Sequence, residues 1–483
     1  MNLKMTGRFI AQCIAIEALF MVPALGISIG LGETASIQAF LVTIAAILVL
    51  AGVLYTLCRK AGRLFGAREG LVCVSLSWIV MSLLGALPFV LSGQVPNYID
   101  ALFETVSGLT TTGSSVIADV ESLYKGLLYW RSFTHWIGGM GVLVFLLAIL
   151  PGSQGAGFTM HLLRAESPGP DVGKLVPKMR QTALILYVIY VVLTVINVIF
   201  LLCGGMPLLD SLCTAFGTAG TGGFGIYNDS IAGVTPYIQW VTTVFMFLFG
   251  INFSCFYLVL AGRLRSVLKD EELRLYVGLA VASVIALVIS VRPMYGTLGE
   301  TVRHAAFQVS SIMTTTGYST TDFDLWPSIS KTILLLLMVV GASAGSTGGG
   351  LKCMRVVLLF KILRRNIRQL LNPQKVLVVR SNEKVVDKKV LDNVNAYFAA
   401  YVIIIMISTL ILSLDGFSFE TTLSAVLATF NNIGPGLAEV GPTCTYADFS
   451  VLSKLTMIMG MLAGRLEIFP VLVLFSRSTW RRK

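Results

Sequence analysis

Long apolar runs alternate with short polar ones along the whole chain. A bilayer core about 30 Å thick takes roughly 20 apolar helical residues to cross. Ten runs fit that description: 8–30, 36–57, 71–92, 128–150, 182–204, 236–260, 275–292, 330–358, 393–414 and 452–475. Between some of them lie four weakly apolar segments, 100–112, 209–222, 301–316 and 420–433, too short to cross. Each begins near an acid: Asp100 or Glu104, Asp210, Glu300 and Glu420. The pattern predicts an all-α polytopic membrane protein with four short helices that enter the bilayer without traversing it.

Composition supports this reading. Of 483 residues, 55% are hydrophobic and 13% charged, against about 25% charged in soluble domains. The net charge of +11 raises nucleic acid as a partner, but its distribution argues against that. Basic residues cluster in short connections: Arg59, Lys60, Arg63 and Arg68; Arg164, Lys174, Lys178 and Arg180; Arg263, Arg265, Lys269 and Arg274; the stretch 355–389; and the tail Arg481-Arg482-Lys483. Tracing ten spans puts all of these on the side of the N-terminus, which the excess of positive charge on cytoplasmic loops makes the cytosol. Both termini are therefore expected to be cytoplasmic. The first run contains Glu17 and lacks a small-residue cleavage site, so it reads as a retained helix. Eight cysteines without a C-x-x-C pair and three histidines without H-E-x-x-H point to buried free thiols and to no metal enzyme.

An internal repeat follows. After two extra helices (1–66) the chain reads long helix, short acid-led helix, polar glycine-containing loop, long helix, four times: 67–160, 161–268, 269–380 and 381–483. The loops lie near 100–115, 220–225, 314–318 and 431–436. Asp100 precedes Gly113 by thirteen residues, as Asp210 precedes Gly223. Irregular backbone is tolerated at membrane depth only where protein buries it or where it lines a watery cavity. Four such loops suggest a pseudo-fourfold pore. Glycine lets carbonyl oxygens turn inward, and rings of carbonyls can replace a cation's hydration shell. Short helices entering N-terminus first would point their partially negative C-termini at the pore.

The stretches FETVSGLTTTGSS (103–115), GTAGTGGFG (217–225), MTTTGYSTTD (313–322), FNNIGPGL (430–437), GASAGSTGGGLK (341–352) and GRLEIFP (464–470) resemble the membrane subunit of the bacterial Trk/Ktr potassium-uptake family, relatives of the fungal Trk and plant HKT transporters. The resemblance covers essentially the whole length. It implies potassium uptake through a four-loop selectivity filter, a homodimer in the bacterial cell membrane, and control by a cytosolic subunit binding ATP/ADP or NAD. The filter positions it implies are Thr111, Thr112 and Gly113; Thr221, Gly222 and Gly223; Thr315, Thr316 and Gly317; and Asn432, Ile433 and Gly434. The second and fourth loops depart from T-x-G. In the resembling plant proteins, serine at the first filter glycine accompanies sodium transport; this chain keeps Gly113.

Five glycines within 341–350 would weaken a helix by about 1 kcal/mol each, more than close helix packing needs. The segment is expected to be a flexible gate under the filter, with Gly345, Gly348, Gly349 and Gly350 as its pivots. Arg465 lies inside the last span, where an ionisable residue is a functional candidate. A pair with Glu467 is disfavoured, because helical residues two apart do not face each other. The resemblance places Arg465 in the permeation path. His304 reads as a packing residue. The 355–389 stretch serves either as a solvated membrane-surface segment or as a docking face for an acidic regulator. The chain itself carries no nucleotide site: Gly173-Lys174 is followed by Leu175. An intramembrane enzyme finds no motif. The alternative transporter is a symporter moving K+ or Na+ with H+ or Na+.

Overall fold

The computed structural model describes residues 3–59, 67–141, 179–382 and 384–480. Lys60 and Arg63 of the first basic loop, the loop 161–178 with Gly173-Lys174, the end of the span expected at 128–150 and the last three residues lie outside the described residues.

The described residues are mostly helical. Helices α1 (Leu3–Leu31) and α2 (Thr34–Leu57) pack on each other. They precede α3 (Ala67–Gly85), α4 (Leu87–Leu91), α5 (Tyr98–Leu109) and α6 (Lys125–Met140). Next come α7 (Met179–Cys203), α8 (Leu208–Gly220), α9 (Pro236–Phe249), α10 (Phe253–Leu260) and α11 (Leu264–Leu268). Then follow α12 (Glu271–Val291), α13 (Leu298–Met313), α14 (Ser328–Val340) and α15 (Cys353–Leu371). The chain closes with α16 (Lys388–Leu412), α17 (Phe419–Phe430), α18 (Val451–Arg465), α19 (Phe469–Phe475) and α20 (Arg477–Trp480). A hairpin, β1 (Arg380–Ser381) with β2 (Lys384–Val385), precedes α16.

Among the described residues six helices are long and apolar enough to cross a bilayer, or seven if α9 and α10 count as one bent span. Their outer faces carry exposed apolar side chains such as Leu19, Val49, Ile289 and Leu410. Water would penalise such a surface and lipid does not. This is a multi-pass membrane protein.

The short helices α5, α8, α13 and α17 hold 12 to 16 residues, so they are only about 18–24 Å long. Asn97, Thr297 and Ser418 cap α5, α13 and α17 through their side chains, and each of the four carries an acid in its first turn, where the helix dipole favours it. Each also packs on the long helix that ends the preceding unit: α8 on α6, α13 on α9, α17 on α14, and α5 on α18. The contacts close on themselves.

Four expected spans are broken. The first break follows Gly85, and Pro88 opens α4. The second bends by 90° between α9 and α10. There Gly250 lies so near Tyr276 and Thr314 that no side chain fits, and segment 341–345 satisfies the backbone groups freed by the break: Ser343 N donates to Gly250 O (3.1 Å) and Phe253 N to Gly345 O (3.0 Å). The third break is the expected glycine-rich one after Val340. The fourth follows Arg465, where Glu467 and Ile468 take φ of 64° and 59° before Pro470 restarts the helix as α19.

Candidate functional site: a ring of four loops

All four short helices end in the same way. Thr111, Thr221, Thr315 and Asn432 adopt left-handed φ of 55°, 54°, 60° and 56°. The next amide reaches back five residues: Thr112 N to Ser107 O, Gly222 N to Gly217 O, Thr316 N to Ser311 O and Ile433 N to Ala428 O, at 2.8–2.9 Å. This is the Schellman ending, normally made with glycine at the left-handed position. Threonine there costs roughly 1–2 kcal/mol. Strain of this kind persists only where the surrounding structure over-determines it.

The glycine two residues on also has positive φ: 85° at Gly113, 75° at Gly223, 88° at Gly317 and 102° at Gly434. Its missing Cβ is occupied by the neighbouring loop. A Cβ at Gly113 would strike Gly222 O, one at Gly223 would strike Thr316 O, one at Gly317 would strike Ile433 O, and one at Gly434 would crowd Thr112 O. Carbonyl meets glycine from loop to loop until the fourth returns to the first. All four glycines line a single cavity of about 110 Å³, together with Ser114, Arg131, Tyr227, Asn228 and Tyr446. At its rim Asn228 Nδ2 donates to Asp119 (2.9 Å), and that bond holds the Asp119 carboxyl below its ordinary value.

Segment 341–352 lies against the other end of the ring, because it touches residues that precede the glycines. Gly349 N donates to the Thr315 hydroxyl (2.6 Å) and Gly350 N to Asn431 O (3.1 Å). Gly348 sits against Thr314 O with no room for a Cβ. Ala344 N and Met354 N both donate to Glu272 Oε1 (2.6 and 3.0 Å), and Lys352 Nζ donates to Gly348 O. Arg465, at the end of α18, donates to Thr347 O (2.7 Å), Gly139 O (2.7 Å) and Gly138 O. It thus ties the glycine-rich segment to the end of α6. Glu467 pairs with Arg355, whose guanidinium lies over Tyr397.

A family pattern decides what this architecture belongs to. The pattern of the TrkH family, described as a cation transport protein, matches residues 36–481. The chain belongs to the TrkH family. It is 36% identical over 451 residues to the Trk system potassium uptake protein TrkH of Salmonella typhimurium, covering 92% of each chain. It is 35% identical over 490 residues to the TrkH of Halomonas elongata, covering the whole of both. It superposes on the crystal structure of the potassium transporter TrkH from Vibrio parahaemolyticus with a TM-score of 0.88, at 30% identity over the full length of both chains. Trk family members are transporters, not enzymes.

In this TrkH-family chain the twelve predicted loop residues lie together at the ring, though not with equivalent side chains. The Thr112 and Thr316 hydroxyls are held by Thr110 and Thr314 (2.8 Å each), and Thr221 donates to Gly220 O (2.6 Å). Thr111 Oγ1 and Asn432 Oδ1 are buried without a protein partner among the described residues. His304 packs as expected, stacked on Tyr295 and bonded to Thr320. Of the acids near the starts of the short helices, Asp100 is engaged by Lys454 (2.6 Å), Glu420 by Lys331 (3.3 Å) and Asp210 by Tyr227 (2.8 Å). Glu104 is fully buried against Arg131 and attracts nothing from outside. The pattern reading missed Arg131, His135, Tyr318 and Tyr446. His135 bridges Gly108 O (2.8 Å) and Phe224 N (3.2 Å), so its Nδ1 carries the proton and Nε2 accepts. For Arg131 and His135 the available signal was a polar run, Arg131, Ser132, Thr134 and His135, inside a predicted span.

Proposed function

We propose that this chain takes potassium into the cell through the ring of four loops, as a channel-like pore of four helix–short helix–helix units. One observation carries the reading: the carbonyl-to-glycine contacts that close from loop to loop at the floor of one cavity. The donors at hand are oxygens alone, the set that suits a large, weakly hydrated cation such as potassium. The orphaned Thr111 Oγ1 and Asn432 Oδ1 supply two more. The four short helices end at the ring, so their partially negative C-termini favour a cation there.

In this reading the segment 341–350 is the gate, with Gly345, Gly348, Gly349 and Gly350 as pivots and Arg465 as its charged latch. The protein works in the cell membrane with both termini in the cytosol. A cytosolic nucleotide-binding subunit governs the gate. That part draws support from α15, which follows the gate directly. Lys361, Arg364, Arg365 and Arg368 on α15 line a 140 Å³ groove with Arg380 of the hairpin. Phe360, Leu363, Ile367 and Leu370 form an exposed apolar row beside it. The apolar row suits a second copy of the chain in a homodimer, and the basic groove suits an acidic regulator.

The test is ion flux into liposomes holding the purified protein, with and without a proton gradient. Rubidium or potassium influx that exceeds sodium influx and ignores the proton gradient supports the pore. Influx that stops when the proton or sodium gradient is removed supports a symporter instead.

A further inference from the structure

We propose that the Glu104–Arg131 ion pair is a specificity-determining brace, setting the spacing of the first and second loops on which discrimination among cations depends. The inference rests on the pore reading above. The two side chains are essentially without solvent contact and meet at 2.6 Å. Glu104 also accepts from Ser115 Oγ (3.0 Å) and Val116 N (3.0 Å), two and three residues past Gly113. Arg131 donates to Gly225 O (2.8 Å), and its guanidinium lies 3.6 Å over the Phe224 ring, so it holds the two residues just past Gly223. One pair therefore fixes the outgoing backbone of both loops, at the seam where Gly113 meets Gly222 O.

The seams from second to third and from fourth to first are held differently. Tyr318 donates its hydroxyl toward Thr214 O and Phe224 O (3.3 and 3.4 Å) between the second and third loops. Tyr446 and Ser114 donate to Gly434 O (2.8 and 3.1 Å) between the fourth and first. Nine residues ahead of the glycine, where Glu104 stands, the other loops have Thr214, Gln308 and Ala425. Parting a buried ion pair strands two desolvated charges, whereas parting a hydroxyl from a carbonyl strands none. The first seam is thus the stiffest of these three; the third-to-fourth link through Lys331, Asp324 and Glu420 is partly exposed to solvent. The planar guanidinium fixes direction as well as distance, which a lysine ammonium does not. Glu104 also neutralises a cation that lines the outer cavity, so Arg131 does not repel entering ions.

Rubidium and sodium influx per folded molecule, in liposomes, tests this. The variants are Arg131→Lys, Glu104→Gln, the double variant Glu104→Gln/Arg131→Met, and Ser115→Ala, which keeps both charges and removes one donor to Glu104. Arg131→Lys and the double variant are expected to lower the rubidium-to-sodium ratio by roughly fivefold while rubidium influx falls by less than about twofold. Ser115→Ala shifts it less, in the same direction. The double variant is no worse than Glu104→Gln alone, because the residues act as one unit. Folded variants that keep the parent ratio, or lose both fluxes in proportion, overturn the inference. If the charge variants do not fold, an unchanged ratio in Ser115→Ala overturns it. A parent protein that does not favour rubidium over sodium overturns the pore reading itself, a distinct result.

Discussion

Replacing Arg465 with alanine tests the inner half of the pathway. The guanidinium bonds to Thr347 O, two residues before Gly349, whose amide bonds to the Thr315 hydroxyl at the inner end of the ring. A cation resting on the inner oxygens would then stand roughly 8 Å from a fixed positive charge, and at an effective dielectric near 20 their repulsion is about 2 kcal/mol. Removing it would speed crossing by about 30-fold if the barrier peaks there. Carbonyls around the guanidinium absorb part of its field, so about tenfold is the expected gain. The gain should be largest when the gate is otherwise closed. Arg465→Lys keeps the charge and loses the fork, and should fall between parent and alanine.

A competing effect acts on stability. Three carbonyls, of Gly138, Gly139 and Thr347, lose their donor in the alanine variant. Left dry, each would cost about 1–3 kcal/mol; reached by pore water, much less. Rubidium influx must therefore be divided by the folded fraction from size-exclusion chromatography. A folded alanine variant with influx equal to or below the parent's refutes the barrier role and makes Arg465 a structural anchor.

Gly113→Ser puts a Cβ into Gly222 O at a φ of 85°, so the first seam must open; the rubidium-to-sodium influx ratio should fall several-fold with the protein still folded. Gly349→Ala puts a methyl group onto Asn431 O; the segment should lift off the ring and raise resting influx in the absence of any partner, an effect read in the same liposomes. Cys444 is exposed and lines the outer cavity. A bulky membrane-impermeant thiol reagent added outside should block influx into cells, and Cys444→Ser should resist it.

The helices were readable because burial in lipid imposes length and composition, and the short helices because each combines too few apolar residues with an acid in its first turn. The loops were readable only in part. T-T-T-G announces itself in the first and third, but N-N-I-G does not, although Asn432 takes the same left-handed φ as Thr111. Asparagine tolerates that region by bonding locally, a backbone property that residue type hides. The breaks at Gly250 and Glu467 escaped detection because hydropathy continues across them. Arg465 stood out as a charge in an apolar run. Its partners did not, since backbone carbonyls of residues 138, 139 and 347 leave no trace in side-chain patterns. Glu104 was read only as an acid near the start of a short helix, because its partner is 27 positions away on another helix.

Two stiffnesses meet at the ring. Its outer side is fixed by a buried ion pair, two tyrosine hydroxyls and carbonyls packed against glycines. Parting the ion pair strands two buried charges, and parting a tyrosine hydroxyl leaves a buried carbonyl without its donor. Its inner side is joined to the glycine-rich segment by single hydrogen bonds from Gly349 and Gly350 and by Arg465. Such bonds are worth about 1 kcal/mol each, somewhat more where a charge donates. Parting only the contacts between the segment and the ring therefore asks for a few kcal/mol, while residues 343–345 stay anchored to Gly250, Phe253 and Glu272. Binding at micromolar strength releases about 8 kcal/mol, and α15 starts at Cys353, whose amide is bonded to Ala342 O within the segment (3.0 Å). A partner that grips α15 through its basic groove could draw the segment aside and leave the ring undistorted. On the proposed reading, gating and selectivity then vary independently, because lifting the segment from the ring parts hydrogen bonds while opening the first seam parts a buried ion pair.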